Sequence, residues 1–442
     1  MEIHLSDHFT YKKLLRFTFP SIIMMVFTSL YGVVDGFFVT NFAGKTALAA
    51  INFVYPVLNI LAIFGYMIGT GGSALVAKTL GEGKLKRANS LFSLFVYMSV
   101  ILSVAFSAVG FFTLEPLMRL LDAEGEMLKG TLIYGSVLLP ALPFWNLQFL
   151  FQIFFITAEK PKLGLYVTLA AGFANMLLDW LFVGILGFGI AGAAAATAIS
   201  QFVGGGLPLI YFFSKNKSLL HLTNTKMDIK ALTKAFTNGS SEFISGISGA
   251  LVGILYNIQL LKYAGEDGVA AYSIMMYVCF VFIGIFFGYA NGSVPVAGFH
   301  YGAENHKELK NLLKKGLFLN FTAASVMLIL SEVLSGVLAK IFAGYDPVLY
   351  DMTLNGFRIY AVSFFFSGFA VFGPSFFTSL NNGLVSGILS FMRTVVFQVL
   401  FVFLLPEFFG IDGIWYSVVI AEALSAALSV LFIIIMRRKY HY

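Results

Sequence analysis

Charge is what this chain has least of. Of its 442 residues, 11% are Asp, Glu, Lys or Arg, and 59% are hydrophobic. Soluble domains carry about 25% charged residues, so this composition cannot supply a water-facing surface for a protein of this size. Cysteine is nearly absent as well. The single Cys279 excludes an intrachain disulfide, leaves the redox compartment unspecified, and reads as a packing residue within an apolar run. There is no G-x-x-x-x-G-K-[ST] loop, which excludes a primary ATP-driven pump of that type. GTGG at 69–72 lies inside an apolar helix and reads as close packing. His300 and His306 have no Cys or His at ligand spacing, so no zinc site is expected, and no nucleophile–base arrangement is visible.

Long uncharged runs of helix length are abundant, and ten-residue period-2 strands are not. Such a chain crosses a bilayer with helices and does not form a barrel. Twelve spans are expected, near 15–41, 47–76, 91–114, 131–157, 163–186, 190–213, 237–263, 268–296, 316–338, 353–378, 384–405 and 412–436. The N-terminal flank and every second connection hold 21 Lys and Arg; the other connections hold 5. That asymmetry is the positive-inside signature and puts both termini in the cytoplasm. It also accounts for the net charge of +6 without nucleic acid. The first apolar run is too long, and its flank too poor in small residues, for a cleavable signal peptide. Residues 1–13 alternate polar and apolar side chains and are expected to lie on the inner surface as a short amphipathic helix.

The two halves of the chain repeat. Ala43-Gly44 and Ala49-Ala50 recur as Ala264-Gly265 and Ala270-Ala271; Gly81 and Lys86 recur as Gly302 and Lys307. Phe155 and Thr157 recur as Phe376 and Thr378, and Gly189-Ile190-x-Gly192 as Gly410-Ile411-x-Gly413. Every pair is separated by half the length of the chain. One constant offset across four helix junctions implies two parallel six-helix repeats, a layout suited to alternating access. The expected organisation is a first lobe over 1–213, a cytoplasmic linker over 214–236 and a second lobe over 237–442.

Pro20, SLYGVVDGFFVTNFAGKTALAA (29–50), the basic connection 81–87, GSSEF (239–243) and LLKYAGEDGVAAYS (260–273) resemble the multidrug and toxic compound extrusion (MATE) transporters, in their bacterial MepA-like branch. The resemblance spans the whole chain. It implies an all-α polytopic membrane protein with twelve transmembrane helices in two pseudo-symmetric six-helix lobes. The activity implied is a secondary antiporter that exports bulky, usually cationic compounds at the expense of Na⁺ or H⁺ entry. An Asp of helix 1 and polar residues of neighbouring first-lobe helices handle the coupling ion in that family.

The residues themselves point the same way. Asp35 is the one ionisable side chain between Arg16 and Lys45, and a carboxylate at that depth costs roughly 2.5 kcal/mol or more unless it finds water, a cation or a partner. Counted from Phe17, it lies about 27 Å along a helix. Asp179 stands almost as far beyond Lys162, in a span that also starts inside, and reaches nearly the same depth. Asn175 is one turn before it on the same face. Two carboxylates and an amide suit Na⁺, which is oxygen-seeking, or a proton shared between coupled acids. The bland alternative is helix packing. At the half-chain offset, however, Asp35 maps to Tyr256 and Asp179 to Leu400, which favours an ion site confined to the first lobe.

Glu242, in the inner half of helix 7, is weighed evenly between a substrate-facing carboxylate and an interlobe contact. Arg393 and Glu422, both near mid-membrane, read as a structural ion pair. Tyr31, Tyr66, Trp145, Tyr256, Tyr277, Gln148 and Gln152 are candidate cavity liners, against the commoner role of packing. Pro20 removes a backbone donor and permits bending of helix 1. No cofactor beyond the coupling ion is expected. Substrates are expected to be small cationic amphiphiles, and the setting a bacterial cytoplasmic membrane, where one chain functions as a monomer. A flippase for a lipid-linked or amphiphilic substrate is the alternative; a scarcity of basic side chains inside the spans argues against it.

Overall fold

The computed structural model describes residues 3–442, apart from the side chains at positions 33 and 45. Its long helices are α1 (Tyr11–Ala43), α2 (Lys45–Gly81), α3 (Leu85–Leu120), α4 (Gly125–Thr157), α5 (Pro161–Ile185) and α6 (Gly189–Phe213). A helical stretch Ile229–Gly302 follows, then α9 (His306–Ala343), α10 (Pro347–Ser379), α11 (Gly383–Phe409) and α12 (Ile411–Tyr440). At ~1.5 Å per residue, such a stretch would run ~110 Å if straight, several times a bilayer's thickness. It turns at Gly265, whose φ of 61° and ψ of −150° are not helical. It therefore supplies two spans, α7 (229–264) and α8 (266–302), and the total among the described residues is twelve.

The backbone carries the repeat too. Gly265 has its counterpart half a chain earlier in Gly44 (φ 92°), and Gly410 (φ 58°) in Gly189 (φ 56°). Both pairs end one helix and start the next with a positive φ, which glycine adopts without steric cost. Helices α1–α6 pack among themselves, as do α7–α12, and the two lobes meet along α1 with α8 and α2 with α7.

That seam is close at the end carrying both termini and open at the other. A Cβ on Gly81 would sit 2.0 Å from the Phe299 carbonyl oxygen, and one on Gly302 2.0 Å from that of Lys78. Gly81 and Gly302 are repeat-related, so this is one crossing seen from both lobes. Gly71 against Ala235 and Gly239, and Gly292 against Thr18, form a second such pair. Further along, Ser29 Oγ reaches the Phe280 carbonyl at 3.3 Å, and Gly246 meets the Ile63 side chain. Beyond this level Gly32, Gly36, Gly249 and Gly253 face open space. The lobes thus form a V whose apex is at the termini.

Residues Ile3–Thr10 do not form the expected amphipathic helix; helix begins at Tyr11, and residues 1 and 2 lie outside the described ones. The segment turns at His4–Asp7, where the Asp7 N–H donates to the His4 carbonyl, and is held in place by two carboxylates, one from each lobe. Glu159 accepts from the Leu5 N–H (2.6 Å) and pairs with His4 Nδ1 (2.7 Å). Glu308 accepts from the Phe9 N–H (2.9 Å) and pairs with His8 Nδ1 (2.6 Å). Leu5 and Phe9 are fully buried. Two charge-assisted bonds at each end, plus two buried apolar side chains, outweigh the gain from one helical turn.

The polar connection between the lobes is fixed to α3. Asn89 Oδ1 accepts from the His221 N–H at 2.7 Å, Ser93 Oγ from the Thr223 N–H at 2.8 Å, and Arg87 pairs with Asp228. Helix α7 starts at Ile229, where Asp228 caps it by accepting from the Ala231 N–H. The helix therefore begins before the expected boundary at 237.

Candidate functional site

Asp35 and Asp179 meet in the half of the first lobe remote from the chain termini. Each stands just before a change in helix geometry: Asp35 precedes the π-helical turn Val39–Ala43, and Asp179 the π-helical stretch Trp180–Ile185. The two π segments pack against each other. A π turn adds a residue to the hydrogen-bonded ring, shifts the face that follows, and is common at functional sites. The register of α5 against α6 is set by Ser200 Oγ, which donates to the Ala171 carbonyl at 2.9 Å. Counting outward from that bond, Asn175 on α5 and Thr197 on α6 come to one level.

Asp179 is 0% and Asn175 2% exposed. The Asp35 and Asp179 carboxyl groups face one another. Among the described residues no partner reaches Asp35 Oδ1, either carboxyl oxygen of Asp179, Asn175 Nδ2 or Thr197 Oγ1, all sealed from solvent. Rotating the Asn175 amide by half a turn exchanges that nitrogen for its oxygen. Tyr134 of α4, itself buried, stands against Thr197 and both acids, and Tyr31 and Tyr55 stand near Asp35. Two facing carboxylates without donors are expensive; each unpaired buried charge costs several kcal/mol. A proton or a small cation between them removes that cost. Two carboxyl groups, an amide and a hydroxyl make an all-oxygen donor set suited to a hard monovalent ion.

Thr197 and Tyr134 join the site without having stood out in the sequence. Thr197 is the lone hydroxyl between Gly192 and Ser200 in GAAAATAIS, which is a legible signal; Tyr134 carries none, because its place depends on how α4 crosses α6.

In the second lobe the position equivalent to Asp35 is fully satisfied. Tyr256 Oη donates to Gln398 Oε1 at 2.6 Å and lies 2.9 Å from Ser417 Oγ. Tyr256 is 1% exposed and stacks on Tyr272, so it sits in the lobe core. Gln148 and Gln152 are likewise buried within the first lobe, Gln148 against Gly204. Trp145 is buried against Tyr55, while Tyr277 is half exposed. Arg393 Nε donates to both oxygens of Glu422, at 3.0 and 3.2 Å. Glu242, 9% exposed, makes no hydrogen bond among the described residues and lies within electrostatic reach of Arg393 and of Tyr66 across the seam. Tyr66 itself accepts from Asn291. Pro20 is buried within an uninterrupted α1 and lines a hollow with Arg16, Phe17, Glu159 and Lys162.

The MatE family profile matches the chain twice, over residues 20–181 and again over 243–404. Multidrug export protein MepA of Staphylococcus saprophyticus is 24% identical over 431 residues, covering 97% of this chain and 94% of that protein. MepA of Staphylococcus aureus is 23% identical with the same coverage. Among solved structures, a MATE protein in complex with MaL6 superposes with a TM-score of 0.93 at 23% identity, covering 98% of each chain. An outward-facing multidrug resistance MATE transporter superposes with a TM-score of 0.92 at 22% identity, covering 98% of this chain and 97% of the other.

Proposed function

The chain belongs to the MatE family of multidrug export transporters, and from that premise we propose that it is a secondary antiporter exporting small organic cations across a bacterial cytoplasmic membrane. The coupling ion, Na⁺ or H⁺, is assigned to Asp35, Asp179, Asn175 and Thr197, with Tyr134 closing the site. The observation that carries this is the contrast at repeat-related positions: orphaned atoms of Asp35, Asn175, Asp179 and Thr197 gather in the first lobe, whereas Tyr256, the counterpart of Asp35, is fully bonded. A scaffold duplicated without its acids argues for a role beyond packing.

With both termini inside, as the Lys and Arg distribution supports, the V opens outward. The cleft then ends above the Gly71–Gly239 crossing, and Glu242, one turn above Gly239, is its first acid. An unpaired carboxylate there attracts cationic substrates, and aromatic walls add cation–π contacts. The first lobe, to Phe213, and the second, from Ile229, act as the two moving bodies, with 214–228 as their tether. When ion and proton are both absent, repulsion within the Asp35–Asp179 pair disfavours this arrangement; loading either relieves it. Pro20, on the same helix, is the point at which α1 can respond.

The test is dye efflux from vesicles reconstituted with the wild-type protein under separate Na⁺ and pH gradients. Acceleration by at least one gradient is expected; export indifferent to both overturns the antiport reading.

A further inference from the structure

Near the N-terminal strap, α1 and α5 part and leave a hollow of about 360 Å³, a size typical of small-ligand sites. Further along, the two helices touch: a Cβ on Gly164 would lie 3.4 Å from Met24 Sδ, and one on Gly172 would collide with the Phe27 ring. Phe17, Pro20 and Leu163 give the hollow apolar surface, and Arg16, Lys160 and Lys162 give it positive charge. Arg16 and Lys162 make no hydrogen bond or ion pair among the described residues. The one acid in the lining, Glu159, is already spent, with one oxygen on the Leu5 N–H and the other on His4.

The scaffold does not require this opening. At the half-chain offset Arg16 maps to Thr237 and Lys162 to Gly383. There the helices are in contact: a Cβ on Gly383 would collide with the Thr237 carbonyl, and the Gly383 N–H donates to Asn238 Oδ1 at 3.2 Å. The second lobe closes the junction with neutral residues. The first holds it open and surrounds it with cations.

Its level in the membrane narrows the ligand. After Arg16 the next Asp, Glu, Lys or Arg on α1 is Asp35, and after Lys162 the next on α5 is Asp179, so the hollow lies where both helices enter the apolar part of their spans. That is head-group level, where Lys and Arg side chains reach for phosphates and Tyr is enriched. Tyr166 lines the hollow and is exposed. Phe173 and Leu177, about two and three turns on along the same face, are exposed too, and extend an apolar track away from it. A soluble anion would leave the track unused, and a neutral apolar molecule would leave the charge unused. An anionic phospholipid uses both, as in basic pockets between helices that hold such head groups.

We propose that this hollow binds one anionic phospholipid, with Arg16 and Lys162 on its phosphodiester and an acyl chain along Tyr166, Phe173 and Leu177. Ile3 and Glu159 line the same hollow, so the lipid also braces the strap against the first lobe. The site is separate from the cleft and does not rest on the export reading.

The test is native mass spectrometry of the full chain released from detergent micelles, with palmitoyl-oleoyl phosphatidylglycerol and the phosphatidylcholine of the same chains titrated separately. The quantity read is the Kd for the first lipid bound. The wild type is expected to take phosphatidylglycerol in preference to phosphatidylcholine. Arg16→Gln/Lys162→Gln is expected to weaken the phosphatidylglycerol about 10-fold or more and to remove the preference. Lys310→Gln/Lys314→Gln, which removes two exposed bases of α9, is expected to leave it in place. A wild type without preference overturns the proposal. So does an equal loss in both double variants, which would reduce the effect to overall surface charge. Displacement of the lipid by an equal concentration of sn-glycerol 3-phosphate also overturns it, by assigning the hollow to a soluble phosphoester. Transport is not read, so each of these failures leaves the export reading standing.

Discussion

Replacing Asp179 by Asn should stabilise the ion-free protein and abolish its stabilisation by ions. Asp179 is fully buried, faces Asp35, and neither of its oxygens has a partner among the described residues. Two carboxylates about 4 Å apart repel by roughly 4 kcal/mol at an effective dielectric of about 20, and the substitution removes that repulsion while supplying an amide donor for Asp35. In the wild type, an ion at a hundred times its Kd contributes about 2.7 kcal/mol. For a chain of this length that corresponds to a rise of about 3 °C in Tm, extrapolating from smaller domains. Thermal scanning in detergent, with Na⁺ titrated at alkaline pH and pH lowered without Na⁺, separates the two candidate ions. The expected result is a wild-type Tm that climbs with one of them, and an Asp179→Asn Tm that starts higher and stays flat. A variant that begins lower and still climbs would refute the reasoning, since it would place ion binding elsewhere.

Thr197→Val removes one oxygen ligand while keeping the volume, and is expected to raise the ion concentration needed for half-maximal efflux about 10-fold if the ion is Na⁺, and to change it little if the ion is H⁺. Gly81→Val places a side chain where even a Cβ would lie 2.0 Å from the Phe299 carbonyl oxygen. The lobes must part by about 1 Å or more at their close end, at a cost of ~1–3 kcal/mol, and spin-label distances across that end should lengthen; unaltered distances would contradict the seam as described. Glu308→Gln weakens one anchor of the N-terminal strap, so cleavage near Phe9 by added protease should accelerate while Glu159 holds the other end. Asp228 is held below the usual carboxylate range by the Ala231 N–H and then by the Arg87 guanidinium. A depressed carboxyl stabilises fully above its unfolded pKa and loses that contribution as pH falls through its folded value. Protection of the linker amides from hydrogen exchange should therefore decline below about pH 4, and Asp228→Asn should show that decline already at neutral pH.

The fold was legible because membrane insertion is governed by composition along the chain. Length and hydropathy mark each span, the constant offset marks the duplication, and Gly44 and Gly265 mark matching turns that need positive φ. Asp35 and Asp179 stood out in the sequence because acids in apolar runs are costly and therefore conspicuous, and Asn175 because it lies one turn before Asp179. Tyr134 was not, since an aromatic residue in an aromatic-rich chain announces nothing about which helix it faces. Tyr256 looked like a cavity liner by type but is spent on Gln398 and Ser417, contacts that depend on lobe packing. The N-terminus looked amphipathic because apolar side chains such as Leu5 and Phe9 alternate with polar ones; they belong to the strap that Glu159 and Glu308 hold, and are buried against protein.

The central claim is that ion coupling resides in the first lobe, at the facing pair of acids. It is tested most directly by gradient-driven accumulation of a cationic dye in proteoliposomes bearing either the wild type or Asp35→Asn/Asp179→Asn, under inward Na⁺ and H⁺ gradients imposed one at a time. The account predicts that the wild type responds to at least one gradient, while the double variant binds dye but responds to neither. A double variant that still accumulates dye under a gradient would contradict it.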